Sequence, residues 1–328
     1  MKRGLGLLAA LPLLLAADGD VPELLLPVAC KIGQSCVIQH YVDDDPSPGV
    51  RDYHCGARTY DKHDGIDFRL RSMVQQRMGV GVLAAADGTI LRTRDGMADV
   101  SVRIAGKASV ANRECGNAVV IRHRGGVQTQ YCHLARGSIL VKPGQAVKGG
   151  AQIANVGMSG AAEFPHLHFV VRLRQEVIDP FAFGAKPGQC NGGRTIWAPA
   201  AGLAHAYQAG EVLVAGFATR PMTFEAAQER GADQLPRPSR DAPRLVAFVQ
   251  SIGLEGGDIQ QLSLTAPDGS TLADNRAEPL NRNKAQTIFF VGRARPAAGW
   301  PTGRFEARYV VLRAGKPVID RRFATILR

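Results

Sequence analysis

Residues 165–173 read Pro165-His166-Leu167-His168-Phe169-Val170-Val171-Arg172-Leu173. The aromatic and β-branched run from Phe169 onward is a β-strand, and His166-Leu167-His168 runs straight into it. Side chains alternate along a strand, so both imidazoles face one way and Leu167 faces the other. The same reading extends outward. Val119-Val120-Ile121-Arg122-His123 meets Gly125-Gly126 and then Val127-Gln128-Thr129-Gln130-Tyr131. Val80-Gly81-Val82-Leu83-Ala84-Ala85-Ala86 ends at Asp87-Gly88, before Thr89-Ile90-Leu91-Arg92. Short apolar runs parted by Gly turns predict a mostly β domain of antiparallel sheet over residues 51–190.

Pro187-Gly188 and Asn191-Gly192-Gly193 mark its end. Beyond them, Val212-Leu213-Val214, Leu245-Val246-Ala247-Phe248-Val249, Leu262-Ser263-Leu264, Thr287-Ile288-Phe289-Phe290-Val291 and the run from Phe305 to Leu312 are candidate strands. They predict an Ig-like β-sandwich of about six or seven strands over residues 191–328. It has one His, His205, and no cluster with ligand spacing, so it reads as an accessory binding or packing module. Residues 18–50 read as irregular, with a turn-rich acidic loop at Asp43-Asp44-Asp45-Pro46-Ser47-Pro48-Gly49.

The chain has 328 residues, a formal charge of +11 and 45% apolar residues, which excludes a disordered or fibrous protein. Lys2 and Arg3 precede a short apolar run that ends in Ala16-Ala17 before Asp18, the pattern of a secretory signal peptide over residues 1–17. The run is too short to span a bilayer, and no other stretch is long and apolar enough to do so. The expectation is an exported protein, periplasmic or secreted. Export and six cysteines (Cys30, Cys36, Cys55, Cys115, Cys132 and Cys190) predict disulfides. Six cysteines allow 15 pairings. Cys115–Cys132 is favoured because both flank one hairpin. A zinc finger is excluded by the lack of any C-x2-C pair.

The histidines carry the chemistry. His63-Asp64-Gly65-Ile66-Asp67 sets an imidazole and a carboxylate four apart, an even spacing that suits one face of an extended segment. Tyr131 and His133 share a face of another strand, with Cys132 pointing away. Two His plus one carboxylate, with a position left for water, is a catalytic zinc arrangement, whereas a closed structural site uses four protein ligands. The ion polarises a carbonyl and lowers the pKa of water. Further His nearby serve acid–base and electrostatic roles.

His63-x3-Asp67, Tyr131-Cys132-His133-Leu134 and Pro165-His166-Leu167-His168-Phe169 resemble the motifs of the M23 peptidases, the LytM or lysostaphin-type zinc metallopeptidases. Gly116-Asn117-x-Val119-x-Ile121-x-His123 and Val156-Gly157-Met158-Ser159-Gly160 are similar to two further family segments, and the resemblance covers roughly residues 55–182. It implies a LytM-type catalytic domain with zinc ligands His63, Asp67 and His168. It also implies that His133 and His166 flank the zinc-bound water, one helping to deprotonate it and one stabilising the oxyanion. Asn117 matches a substrate-side position, and Ser159 lies in the loop before the second motif. His54, His123 and His205 take no site role, and His123 reads as structural. Two departures stand out. Asp64 adds an acidic group beside the metal where the family usually has Lys or another residue. The stretch from Arg92 to Glu114 is an insertion that forms a lid or groove wall.

The resemblance implies a zinc-dependent endopeptidase that hydrolyses peptide cross-links of peptidoglycan. The expected partners are peptidoglycan, met peripherally, and a protein docked through the C-terminal domain; no nucleic-acid motif is present. Between Arg69 and Arg124 the chain has ten Lys or Arg against four Asp or Glu, a basic face suited to an anionic wall polymer. The alternative is a non-catalytic LytM-type regulator of cell-wall hydrolases. Against it, all five ligand and catalytic positions are intact. A Cys132–His133 dyad is excluded unless a bulge breaks the alternation. Residues 18–50 are a candidate mask over the site, with Asp43 to Asp45 approaching the metal.

Overall fold

The computed structural model describes residues 21–203, 207–231 and 235–328; the leader expected over residues 1–17, and His205, lie outside the described residues. The first half contains β1 (Cys36–His40), β2 (Ile66–Leu70), α1 (Met73–Arg77), β3 (Gly81–Leu83), β4 (Gly88–Arg94), α2 (Val102–Ala105), β5 (Asn117–Arg122) and β6 (Val127–Leu134). It continues with β7 (Ala146–Val147), β8 (Gln152–Asn155), β9 (His166–Leu173) and β10 (Glu176–Val177). The main sheet runs β1-β2-β9-β6-β5-β4-β7, with β10 on the free part of β9; β3 and β8 pair separately. Every pairing is antiparallel.

The pleat of β9 sorts its side chains. Leu167, Phe169 and Val171 enter the core with Ile66, Phe68, Tyr131, Ile153 and Trp197. His166 and His168 leave on the other face, opposite Arg69 and Asp67 of β2. This face carries the site.

Residues 18–50 depart from the irregular reading. Residues 36–40 form an edge strand on β2, and Leu24, Val28, Ile38, Tyr41 and Val42 are core residues. A five-residue strand that ends in Gln39-His40 has too little alternation to announce itself. Asp43 to Asp45 serve as loop anchors: Asp43 accepts from the amides of Arg51 and Lys62, and Asp44 accepts from Gly188. The disulfides are Cys30–Cys36, Cys55–Cys190 and the expected Cys115–Cys132.

The second half has β11 (Glu211–Ala218), α3 (Phe224–Arg230), β12 (Arg244–Leu254), β13 (Ile259–Thr265), β14 (Thr271–Arg276), β15 (Lys284–Ala294), β16 (Gly303–Arg313) and β17 (Lys316–Leu327). Two antiparallel sheets, β11-β12-β15 and β14-β13-β16-β17, close on a core of Leu245, Ala247, Val249, Leu262, Phe305 and Tyr309. This is the two-sheet sandwich expected of an Ig-like module. The expected boundary at residue 190 falls too early, because Ile196, Trp197, Ala201 and Leu203 pack in the first core. Strand β12 is buried on both faces. Its Phe248 and Ile252 turn away from the sandwich core to meet Val37 of β1 and Ala227 of α3. The short α3, in an Ala-rich stretch, is one of the elements the sequence pattern omits.

His123 is structural, as expected. Its Nδ1 donates to the Asp87 carbonyl and its Nε2 meets the Thr129 hydroxyl at 2.7 Å. Burial holds its pKa below the ordinary 6.5. As pH falls below that value the unfolded chain takes up a proton that the folded one refuses, so stability drops until the folded pKa is reached. His123→Gln is expected to reduce the loss of urea midpoint between about pH 7.5 and about pH 5, measured by fluorescence.

Candidate metal centre

Asp67 lies on β2 directly opposite His168 on β9. The Asp67 Oδ1 to His168 Nδ1 distance is 2.9 Å, and His63 Nε2 lies 3.3 Å from that oxygen and 3.2 Å from that nitrogen. These three ligand atoms form the one metal-competent group among the described residues. Ligands at about 2.0–2.2 Å around a tetrahedral ion stand about 3.3 Å or slightly more apart, so the trio has the spacing of one contracted face of such a tetrahedron. The donor set and spacing fit a divalent ion with its remaining position open.

His63 is not on a strand. It sits just before β2, and Gly65 lets the chain pass tight against β9. A Cβ at Gly65 would stand 2.7 Å from the Phe169 carbonyl oxygen and 2.8 Å from His168 Cε1.

Hydrogen bonds fix which ring nitrogen each imidazole presents. His63 Nδ1 donates to the Tyr41 carbonyl at 2.7 Å, which leaves Nε2 for the trio. His168 is reversed: Nδ1 faces the trio and Nε2 donates to Asp64 at 3.1 Å. His166 Nδ1 donates to the Phe164 carbonyl and His133 Nδ1 to the Ser159 carbonyl, so both present Nε2. Their rings lie 4.5 Å apart, and His166 Nε2 is 3.6 Å from Asp67 Oδ1. Burial pushes the His166 pKa down to about 4 and holds that of His133 well below 6.5, so both are neutral near pH 7. Burial alone would raise the Asp67 carboxyl, but the surrounding imidazoles, His63 first, bring it well below the carboxylate range. Burial also opposes a charge on His168, yet its contacts with Asp64 and Asp67 outweigh that and push it up to about 9.

Four expected residues, His63, Asp67, His166 and His168, come together as read. His133 also arrives, but by a different route. Cys132 is the cross-strand partner of His168 and so shares its face, the reverse of the alternation reading. His133 adopts a left-handed backbone with φ of 59°, which swings its ring back to the same side. Its amide donates to the Cys115 carbonyl, and its own carbonyl accepts from Gly157. The Cys132 sulfur is held in the disulfide, which removes the Cys–His dyad.

Asn117 and Ser159, read as substrate-side residues, are both fully buried. Asn117 Nδ2 donates to the Met97 and Leu134 carbonyls, and Oδ1 accepts from the Met97 amide. Ser159 Oγ accepts from the Asn117 amide and donates to the Leu134 carbonyl. Asn117 spends its amide group on Met97 of the 92–114 loop and on Leu134, and Ser159 spends its hydroxyl on Asn117 and Leu134 behind it. Asp99 pins the same loop by accepting from Arg136 and Met158.

Sequence reasoning assigned no role to His40, whose Nδ1 donates to Asp67 Oδ2 at 2.9 Å. The signal is non-local, since His40 and Asp67 pair only through the β1–β2 register. Tyr60, half exposed, lies with its ring 4.4 Å from that of His63.

An antiparallel sheet thus gathers two His and one Asp, with two neutral His beside them. Residues 61–180 match the family model for peptidase family M23. An uncharacterized metalloprotease of Haemophilus influenzae is 33% identical over 130 residues, 40% of this chain and 22% of that protein. The peptidoglycan DD-endopeptidase ShyB of Vibrio cholerae is 36% identical over 117 residues, 36% of this chain and 22% of that protein. The chain therefore spans under a quarter of these relatives' length. Among solved structures, a zinc-containing peptidase from Vibrio cholerae is 28% identical, covering 49% of this chain and 39% of that one, with a TM-score of 0.33.

Gly65→Ala is expected to displace the His168 ring. The metal content after dialysis, measured by plasma mass spectrometry, should fall from about one ion per chain toward zero. The overpacking should cost about 1–3 kcal/mol of stability in chemical denaturation.

Proposed function

We propose that this chain is a zinc-dependent endopeptidase that hydrolyses peptide cross-links of peptidoglycan. The observation that carries the reading is the His63–Asp67–His168 trio with two further imidazoles, His133 and His166, presenting bare Nε2 atoms to it. The substrate class is supported by the peptidoglycan-acting relative ShyB within the same family.

His63 Nε2, Asp67 Oδ1 and His168 Nδ1 would hold the ion. When bound, zinc supplies Lewis acidity toward an amide carbonyl and makes water ionise near neutral pH. His133 and His166 are neutral at that pH, so the Nε2 of one of them takes the proton from the attacking water. Asp67, 3.6 Å from His166 Nε2, favours the resulting imidazolium. That proton then goes to the amine nitrogen as the C–N bond breaks. Asn117, with Ser159 bonded to its amide, acts on the substrate through the loop it holds at Met97. The excess of ten Lys or Arg over four Asp or Glu between Arg69 and Arg124 favours an anionic wall polymer. In this reading the protein works outside the cytoplasmic membrane, as a catalytic domain with a sandwich accessory domain packed against it. No helix among the described residues is long and apolar enough to cross a membrane.

Mass spectrometry of muropeptides from purified sacculi tests this. The full chain with zinc is expected to convert cross-linked dimers to monomers. His168→Ala should abolish conversion together with zinc binding. His133→Ala and His166→Ala should retain zinc and lose about 100- to 10,000-fold in rate. Zinc bound by the wild type with no new peptide ends would favour the regulator over the enzyme.

A further inference from the structure

His168 is the one imidazole of the site whose ligand atom is Nδ1, and its Nε2 is therefore turned outward. That nitrogen does not meet a backbone carbonyl, as the outer nitrogens of His63, His133 and His166 do. It meets Asp64 Oδ1 at 3.1 Å. The other oxygen of the same carboxylate, Oδ2, accepts from the Arg172 guanidinium at 2.8 Å. A second arm of Arg172 donates to Gln130 Oε1 at 2.9 Å. The amide nitrogen of Gln130 in turn lies 3.1 Å and 3.2 Å from the two sulfurs of the Cys115–Cys132 disulfide. A continuous polar chain thus runs from a covalent cross-link, through Gln130, Arg172 and Asp64, to His168.

We propose that Asp64, clamped by Arg172, is a positioning residue that fixes the tautomer and ring orientation of His168 for metal binding. The inference rests on the zinc reading given above. Three observations support it. Asp64 sits across the imidazole from the trio and is absent from the metal-competent group, so it acts on the ring and not on the ion. Without a partner at Nε2, the His168 ring is free to hold its proton on Nδ1, the atom the ion needs bare; an acceptor at Nε2 removes that tautomer. The Asp64 and Arg172 side chains are 43% and 24% exposed, and an ion pair that open to water adds little to folding. Its value lies in where it points the carboxylate. Arg172 is two residues beyond Val170 on the strand that carries His168, and Asp64 follows His63, so the clamp also ties the two histidine ligands to one frame.

The test is the zinc dissociation constant of the full chain at fixed pH, measured by competition with a chromogenic chelator, with the thermal transition of the metal-free protein as a check of folding. Asp64→Ala is expected to weaken zinc by about 10- to 100-fold with little change in that transition. Asp64→Asn keeps an acceptor oxygen without the charge and is expected to recover most of the affinity. Arg172→Ala should give a smaller loss, and the double variant Asp64→Ala/Arg172→Ala should be no weaker than Asp64→Ala alone. Wild-type zinc affinity in Asp64→Ala would overturn the assignment and leave the peptidase reading standing. Asp64→Asn as weak as Asp64→Ala would also overturn it, since the contribution would then be charge and not orientation. A wild-type chain that binds no zinc would instead defeat the peptidase reading itself.

Discussion

One buried carboxylate organises this molecule. Asp67 is almost completely removed from water, and an unpaired carboxylate there would cost several kcal/mol. Four imidazoles surround it: His63 and His168 at one oxygen, His40 at the other, and His166 slightly farther off. They come from three separate places in the chain, and only the order β1-β2-β9 and its register bring them together. The sheet is thus more than a scaffold for the site. If β9 slipped by one residue, Asp67 would lose His166 and His168 and keep only His63 and His40.

How much of this is legible in the sequence depends on the range of each interaction. The pairing of His166 with His168 follows from strand alternation alone, and Gly65 between His63 and Asp67 signals a close approach. His40 is invisible to such rules. Its partner is 27 positions away, and nothing in Gln39-His40 marks a site. His133 is misread for another reason: its left-handed backbone reverses the face that alternation assigns, and only the surrounding backbone bonds enforce that conformation. Asn117 and Ser159 show a third limit. Their motifs are recognisable, but whether a polar side chain turns toward solvent or toward the backbone is decided by packing.

The sandwich is built into the half that carries the His63–Asp67–His168 trio. Arg69, fully buried on β2 next to the site, donates to Gln39 and to Gln286 of β15, and its guanidinium lies 4.0 Å over the Phe164 ring. Phe164 in turn supplies the carbonyl that orients His166. Gln228 of α3 donates to the carbonyl of the preceding residue, Glu163. The segment that delivers His166 is therefore held from the side of the second core as well as the first. A module that was only an independent appendage would have no reason to reach this deep.

The Cys55–Cys190 bond joins two points 135 residues apart and encloses the trio, both assisting histidines and the 92–114 loop. Topologically this region is a closed ring and not an open string. A protease that nicks an exposed loop within it, such as the turn around Gly96 or Gly137, produces a cut molecule whose pieces remain covalently one. A ring keeps His63, Asp67 and His168 attached to the same body after the first break.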